Sequence, residues 1–431
     1  MDILFVHPNM PGQYKHLARA LGETGAHRIY FLTKHKTAEI PGVVRVTYAM
    51  PKTPADAKPH RYLVPMEAAI RQGQQVWRVL YDLSRRENFT PQVIVGHPGW
   101  GDMLFVKDLF PKARVLSFCE FYYRATGADV AFDPADPATE DDAPRVRVKN
   151  AVNLLNLEQM DWGISPTSWQ WSLHPPEFQG KLAMLHDGID TRACQPDASA
   201  LLTLPNGKQF KKGDEVVTYI ARNFEPYRGF PTFMKVAERL LAERPNLHII
   251  AVGADSVSYG KRAPQGSTYR DLLMKEVNLP DDRIHFTGSL PYAELLKVFQ
   301  VSKAHLYLTY PFVLSWGMME AMACGVALVA SNTVPVREVV QDGINGLMAD
   351  FFAPDDVAAK LGQLLDASDD NAAMRAAARQ TITERYALER LLPLQVRLVE
   401  EVARGQLPPP VMQEIQRAQP LVPAALWQAD R

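Results

Sequence analysis

Residues 309–330 read TYPFVLSWGMMEAMACGVALVA. The run just before and into it, Ala304 to Thr309 (AHLYLT), is short and apolar and suits a strand, and Pro311 stops it. Ser315 has the chemistry of a helix N-cap, a hydroxyl that accepts from free backbone N–H groups. Trp316 to Cys324 is then built of strong helix formers, Met318, Met319, Glu320, Ala321, Met322 and Ala323. Gly325 ends that helix and Val326 to Ala330 is a second buried strand. The order strand, loop, helix, strand puts a helix N-terminus at the carboxyl end of a strand. In an open α/β sheet ligands bind there, and a helix N-terminus favours phosphate. Glu320 stands about one turn inside the helix. It reads either as an acid favoured by the helix dipole or as a carboxylate accepting from two ligand hydroxyls, such as those of a ribose.

The 431 residues suggest two or three domains with ample core. At 47% hydrophobic and 22% charged the chain is globular, and a net charge of -1 gives no general nucleic-acid footprint. Three cysteines, Cys119, Cys194 and Cys324, argue against a disulfide framework and for a reducing compartment. The opening MDILFVHPNM lacks a basic n-region and a long apolar core, so no signal peptide is expected, and no apolar run is long enough to span a membrane. The expected location is cytoplasmic, with peripheral membrane contact left open.

In chain order, Asp2 to Val6 is a strand feeding the loop HPNMPGQY, and Lys15 to Leu21 a helix. Gly12 lets that loop approach something closely, or simply forms a βα turn. There is no GxGxxG, which counts against a dinucleotide site. Strands follow at Ile29–Thr33 and Val44–Tyr48, then a Pro-rich loop over 51–60 and a long helix over 62–88. Gln92 to Gly96 delivers His97 and Val115 to Cys119 delivers Glu120, so both polar groups fall at carboxyl ends of apparent parallel strands. His97 alone also reads as a loop histidine bonded to backbone. Glu120, following a buried strand, needs a partner, and Arg124 is the nearest candidate in sequence. Residues 129–145, acidic and Pro-rich, read as a solvated surface loop or one folding over an acceptor. Helix, strand and aromatic loop follow to Leu185. HDGID (186–190) is a turn, and 191–213 a linker with a hairpin or loop.

The strand–helix pattern then restarts at Glu215–Ala221, which argues for two parallel-sheet domains. Arg222 and Arg228 bracket the loop after this strand, and Gly229 and Pro231 open its helix. Two guanidiniums at a helix N-terminus have the donors and permanent charge of a diphosphate clamp. Glu225 between them allows an ordinary Glu–Arg surface pair instead. Residues 372–404 read as helices with a break at Pro393, and the Pro-rich chain from Gly405 onward reads as loosely attached.

ARNFEPYRGF (221–230), GSLPYAEL (288–295), YPFVLSWGMMEAMACGVALVAS (310–331), PVREVV (335–340) and DGINGL (342–347) together resemble the nucleotide-binding half of GT-B glycosyltransferases of the retaining family 4, glycosyl transferases group 1. HDGID resembles the hinge between the two domains, and the first half matches less distinctly, through the Gly12 loop and SPTSWQ (165–170). The resemblance implies an α/β GT-B fold of two Rossmann-like parallel-sheet domains facing a central cleft. Residues 1–190 would form an acceptor-side domain and 191–385 the nucleotide-sugar-binding domain. Residues 386–431 would be a C-terminal helix crossing back to the first domain, plus a Pro-rich tail.

It also implies roles. Arg222 and Arg228 take the place of the basic pair on the donor diphosphate, and Glu320 that of the second glutamate of an E-x7-E motif, on the ribose hydroxyls. Leu314, Ser315 and Trp316 take the backbone segment donating to the distal phosphate and sugar. Gly12 matches the loop meeting the diphosphate from the other domain, and Gly288, Ser289 and Leu290 lie where the base is held. Two departures stand out. Phe312 occupies the position of the first glutamate, which usually binds donor-sugar hydroxyls, so a deoxygenated or less polar sugar is one reading. Glu120 stands where the family often has His.

The activity implied is transfer from a nucleotide sugar to a glycan, lipid-linked or protein-linked acceptor with retention of anomeric configuration. No Asp-x-Asp occurs, so no metal and no further cofactor are expected, and Arg222 and Arg228 would stabilise the leaving group. Glu120 is the candidate for orienting sugar or acceptor, or more remotely a covalent nucleophile. His97, Tyr122, Tyr123 and Arg124 are acceptor or sugar candidates. A nucleotide-sugar epimerase or hydrolase, and an inactive nucleotide-binding scaffold, are the alternatives.

Overall fold

The structure, a computed structural model, describes residues 1–50, 59–264, 266–367 and 369–422. Most of the Pro-rich loop expected at 51–60 lies outside the described residues. The chain divides into two units, one made of Met1–Gly188 with residues 389–422, the other of Ile189–Leu388.

The first unit is built on seven strands, β1 (Asp2–Val6), β2 (Arg28–Thr33), β3 (Val43–Thr47), β4 (Val93–Gly96), β5 (Arg114–Phe118), β6 (Trp162–Ser165) and β7 (Leu182–Met184). They lie in the order β3-β2-β1-β4-β5-β6-β7, every pair parallel. Covered on both faces, such strands read as continuous apolar runs. Ile3, Leu4, Phe5 and Val6 of β1 and Val93, Ile94 and Val95 of β4 are buried accordingly. The chain reverses its direction of travel across the sheet between β1 and β4, which makes that pair the switch point where a crevice opens at the carboxyl ends.

The last helices belong to this unit. Leu391, Leu394, Leu398, Val399 and Val402, on one face of helix Leu388–Ala403, join the core formed by Ile3, Phe5, Leu116 and Ile164. The helix runs through Pro393, and the break falls earlier, at Tyr386–Ala387, where Ile189 N–H donates to the Tyr386 carbonyl at 2.8 Å. Burial of the apolar stripe outweighs the backbone bond that Pro393 forfeits. The reading of a loosely attached tail is corrected as far as residue 422. Val411 and Ile415 are fully buried in the same core, and Gln419 accepts from His186 N–H at 2.8 Å. Residues 423–431 lie outside the described residues.

The second unit opens with an antiparallel hairpin, β8 (Leu201–Thr203) and β9 (Gln209–Lys211). It continues with β10 (Val216–Asn223), β11 (His248–Ala254), β12 (Ile284–Phe286), β13 (Ala304–Tyr307), β14 (Ala327–Ser331) and β15 (Leu347–Ala349). Their order, β12-β11-β10-β13-β14-β15 with all pairs parallel, repeats the arrangement of the first unit. Here the switch point lies between β10 and β13. Among the described residues no helix is long and apolar enough to cross a membrane.

Candidate functional site

In the second unit, the loops after β10 and β13 meet at their switch point. Helix Trp316–Ala323 begins there, and Ser315 caps it as its sequence predicts, the hydroxyl accepting from Gly317 N–H at 3.2 Å. The other end closes on Gly325 at φ +67°, with Gly325 N–H to the Met322 carbonyl (2.9 Å) and Val326 N–H to the Ala321 carbonyl (3.1 Å). This is the paired closure that a left-handed residue makes possible. Met318, Met319, Ala321 and Met322 are buried, so the helix has one polar aperture, at Glu320. That carboxylate is half-buried and accepts from the Tyr292 hydroxyl at 2.8 Å. Burial and the nearby Glu320 charge raise the Tyr292 pKa far above the usual phenol range, so the hydroxyl stays a donor. Leu314 is buried, while Trp316 beside it is 43% exposed.

The basic pair separates into two environments. Arg222 is exposed at the carboxyl end of β10. Arg228 is buried, and its Nη1 donates to Thr309 Oγ1 (2.6 Å), Tyr307 Oη (3.2 Å) and the Val313 carbonyl (3.2 Å). Tyr307 Oη also accepts from Ser315 N–H at 2.9 Å. Arg228 thus ties the loop leading into the helix to the strand it leaves. Burial works against its charge, but Tyr307, Tyr259 and Glu225 outweigh that and raise its pKa further.

The Glu225 surface pair suggested by sequence is overturned. Glu225 has no exposed surface, and its carboxylate accepts from Ser258 N–H (3.1 Å), Tyr259 N–H (3.0 Å) and Gly260 N–H (3.0 Å). It orders the loop after β11, a role with no local sequence signal. Phe312 is buried against Tyr227 and Tyr259, at ring centroid distances of 5.6 and 5.0 Å. An aromatic box therefore stands where the motif's first carboxylate would be. After β12, the Gly288 carbonyl accepts from Gly253 N–H at 3.1 Å, Ser289 is exposed and Leu290 packs under the sheet.

In the first unit the structure brings His97 and Glu120 together, with His97 Nε2 3.3 Å from Glu120 Oε2. Arg124 is not the partner of Glu120 and instead lies over the Tyr122 ring, 5.5 Å away. The second partner of Glu120 is Gln13, whose Nε2 donates to Oε1 at 3.1 Å, and Gln170 Nε2 holds the Glu120 carbonyl at 2.6 Å. Burial alone would raise the pKa of this carboxyl, but the bonds from His97 and Gln13 outweigh it and hold Glu120 below the ordinary carboxylate range. Tyr122 is buried against His174, and Tyr123 packs on Phe121 with Lys149 over its ring. The acidic segment expected to be a solvated loop over 129–145 is anchored at its start by buried Ala128 and Asp129 and turns helical from Asp142.

His7, at the end of β1, went unremarked in the sequence reading. Its ring is buried, 5.7 Å from His97 and 5.1 Å from Trp100, and burial with the neighbouring His97 lowers its pKa to about 3. It also explains Gly12. That residue sits at φ +52°, and a Cβ there would lie 2.7 Å from the His7 ring, so what Gly12 approaches within this unit is an imidazole. A polar residue directly after the apolar run Ile3–Val6 was the available signal. Among the described residues no group of three or more His, Cys, Asp or Glu side chains is arranged to hold a metal ion.

Residues 25–194 match the glycosyl transferase family 4 group, and residues 203–381 match glycosyl transferases group 1. The chain is 25% identical over 228 residues to a D-inositol 3-phosphate glycosyltransferase of Mycolicibacterium gilvum, covering 50% of this chain and 46% of that one. It is 27% identical over 226 residues to a GDP-mannose-dependent alpha-(1-6)-phosphatidylinositol monomannoside mannosyltransferase of Mycobacterium tuberculosis, covering 49% and 53%. The matched region spans about half the length of these curated relatives. Among solved structures, sucrose-phosphate synthase of Thermosynechococcus elongatus superposes with a TM-score of 0.68 at 15% identity, over 94% of this chain and 100% of that one. The shared fold is GT-B.

Proposed function

Because the chain belongs to the glycosyl transferases group 1, a family of glycosyltransferase enzymes whose family 4 group its first half matches, we propose that it transfers a sugar from a nucleotide-diphosphate sugar to a glycan, lipid-linked or protein-linked acceptor. The reading extends to retention of anomeric configuration and to catalysis without a metal bridge. The observation that carries it is the start of helix Trp316–Ala323. A capped helix N-terminus, a carboxylate one turn inside it and a buried arginine tying down the loop before it converge at one switch point.

In this reading Glu320 accepts from the ribose hydroxyls, and the N–H groups around Ser315 meet the distal phosphate. Arg222, exposed at the strand end, pairs with the diphosphate as negative charge grows on the leaving group. Arg228 contributes its charge and, through Thr309, Tyr307 and Val313, the geometry of the donor loop. The aromatic box around Phe312 supports a donor sugar that is less polar on the face it would present there. The names of the two relatives, with D-inositol 3-phosphate and phosphatidylinositol monomannoside, support a polyol or lipid-linked acceptor, and the latter a peripheral site at the inner membrane face.

The test is nucleoside-diphosphate release from a panel of nucleotide sugars, with and without EDTA, by the wild type and Glu320→Ala. Release from one or a few donors, resistant to EDTA and lost in the variant, is the expected result. Release of free sugar at the full turnover rate would make the protein a hydrolase. Absence of release together with absence of any nucleotide-induced thermal shift would leave an inactive scaffold.

A further inference from the structure

Between helix Val64–Glu87 and the short helix Val106–Leu109 the first unit carries a cavity of about 450 Å³, lined by Gln74, Trp77, Arg78, Phe105 and Asp108. None of these belongs to the site described above. The volume falls within the range of small-molecule sites, roughly 300–1,000 Å³. The longer helix carries Gly73 in its interior, where glycine is disfavoured. A Cβ there would lie 3.0 Å from the Phe105 ring and 2.8 Å from the Gly101 carbonyl oxygen. The helix thus gives up a side chain, and the Phe105 ring seats against its backbone as one apolar wall of the cavity. Trp77 is the second wall. Tyr81, one turn on, stacks on the indole at 5.2 Å and 12°, and Arg85 Nη1 donates to the Tyr81 hydroxyl at 2.7 Å. That ladder fixes the indole and leaves it half-buried. The polar lining is uncommitted. Gln74, Arg78 and Asp108 are exposed, and among the described residues none of the three has a hydrogen-bond or ion-pair partner. A cation and an anion therefore line one cavity without pairing with each other.

We infer that this cavity binds a small zwitterion whose ammonium and phosphate groups are held a few bonds apart, as in phosphoethanolamine and phosphocholine. A ligand with only negative charge meets Asp108 and one with only positive charge meets Arg78, so net charge of either sign is disfavoured. The Trp77 indole and Asp108 together suit an ammonium group, by cation–π attraction and by charge. Arg78 brings the forked donors that suit phosphate, and Gln74 adds a neutral amide donor. Arg78 and Asp108 stand too far apart to pair, so the charges of the ligand must be separated as well. That favours an ammonium phosphate over an α-amino acid, whose two charged groups share one carbon. The Phe105 ring covers the carbons between or beside the charges. A lipid headgroup and a soluble phosphomonoester present the same chemistry to this cavity. The inference makes no use of the transferase reading.

Saturation-transfer NMR on the full chain tests it. The probes are phosphocholine, O-phosphoethanolamine, choline, glycerol 3-phosphate and glycine, applied to wild type, Arg78→Gln and Asp108→Asn. Both substitutions fall at exposed side chains without partners, so the fold is spared. Expected is saturation of at least one of the two ammonium phosphates, with affinity about tenfold lower in each variant. Choline, glycerol 3-phosphate and glycine, which lack one charge or its spacing, are expected to bind about tenfold more weakly than that zwitterion to wild type. Cosedimentation with phosphatidylcholine–phosphatidylethanolamine vesicles separates the sources. Binding that both variants lose assigns the site to a lipid headgroup, and binding of the free zwitterion without vesicle binding assigns it to a soluble ligand. Absence of saturation for both zwitterions, equal affinity in wild type and variants, or binding of choline, glycerol 3-phosphate or glycine as tight as that of the zwitterions overturns the inference.

Discussion

The Tyr292 hydroxyl donates to Glu320 Oε1 at 2.8 Å, linking helix Tyr292–Val301 to the one turn of helix Trp316–Ala323 that offers a charge. The bond holds the carboxylate through that oxygen and sets its rotamer before any ligand arrives. Tyr292→Phe keeps the ring and removes the donor. Because Tyr292 is 42% exposed, the stability cost is small, under about 1 kcal/mol. UDP and GDP affinities, measured by calorimetry, are expected to fall about two- to fivefold, against more than about tenfold for Glu320→Ala. Equal losses in both variants would mean Tyr292 itself touches the nucleotide.

Arg222 and Arg228 are expected to fail differently. Arg228→Met strips donors from Thr309, Tyr307 and the Val313 carbonyl inside the protein, which costs about 3 kcal/mol without any ligand present. Arg222 is exposed, so Arg222→Ala leaves unliganded stability within about 0.5 kcal/mol and weakens nucleoside-diphosphate binding. Urea titrations with and without UDP check both. Matching unliganded midpoints for the two variants would refute the division.

Glu225 holds three backbone N–H groups of residues 258–260 from a fully buried position. Glu225→Ala leaves those donors without acceptors and is expected to cost roughly 2–4 kcal/mol, with faster amide exchange over the loop after β11. Glu225→Gln, which turns a donor toward donors, should recover little of it. Unchanged protection in the alanine variant would contradict the assignment.

Acid should weaken the fold before the carboxylates titrate. Burial lowers His174 and His186 to about 4 and His305 to about 3. An unfolded histidine takes its proton near 6.5, so below that pH the unfolded chain binds more protons and stability falls as pH falls. By pH 5 each group costs up to about 2 kcal/mol. Denaturation midpoints at pH 7 and pH 5 measure this, and a flat profile over that interval would exclude it.

What the sequence determined by itself was whatever depends on local pattern. Continuous apolar runs such as ILFV and VIVG can only be strands covered on both faces, and Ser315 and Gly325 bracket a helix through backbone chemistry that needs no partner. The pattern's restart near Glu215 separated the two sheets, and the strand ends located His97, Glu120, Arg222 and Glu320 along the chain. Tertiary structure alone decided which of these groups meet. Glu120 took Gln13 and His97 over the sequence-near Arg124, because parallel pairing of β1, β4 and β5 brings residues about a hundred positions apart to one edge. Glu225 and Arg228, two charges of one loop, turn inward to bind loops from other strands, and the His7 ring is buried with Gly12 packed against it. Burial and hydrogen-bond satisfaction are properties of the whole packed unit, and a linear pattern carries them only where neighbours in sequence are also neighbours in space.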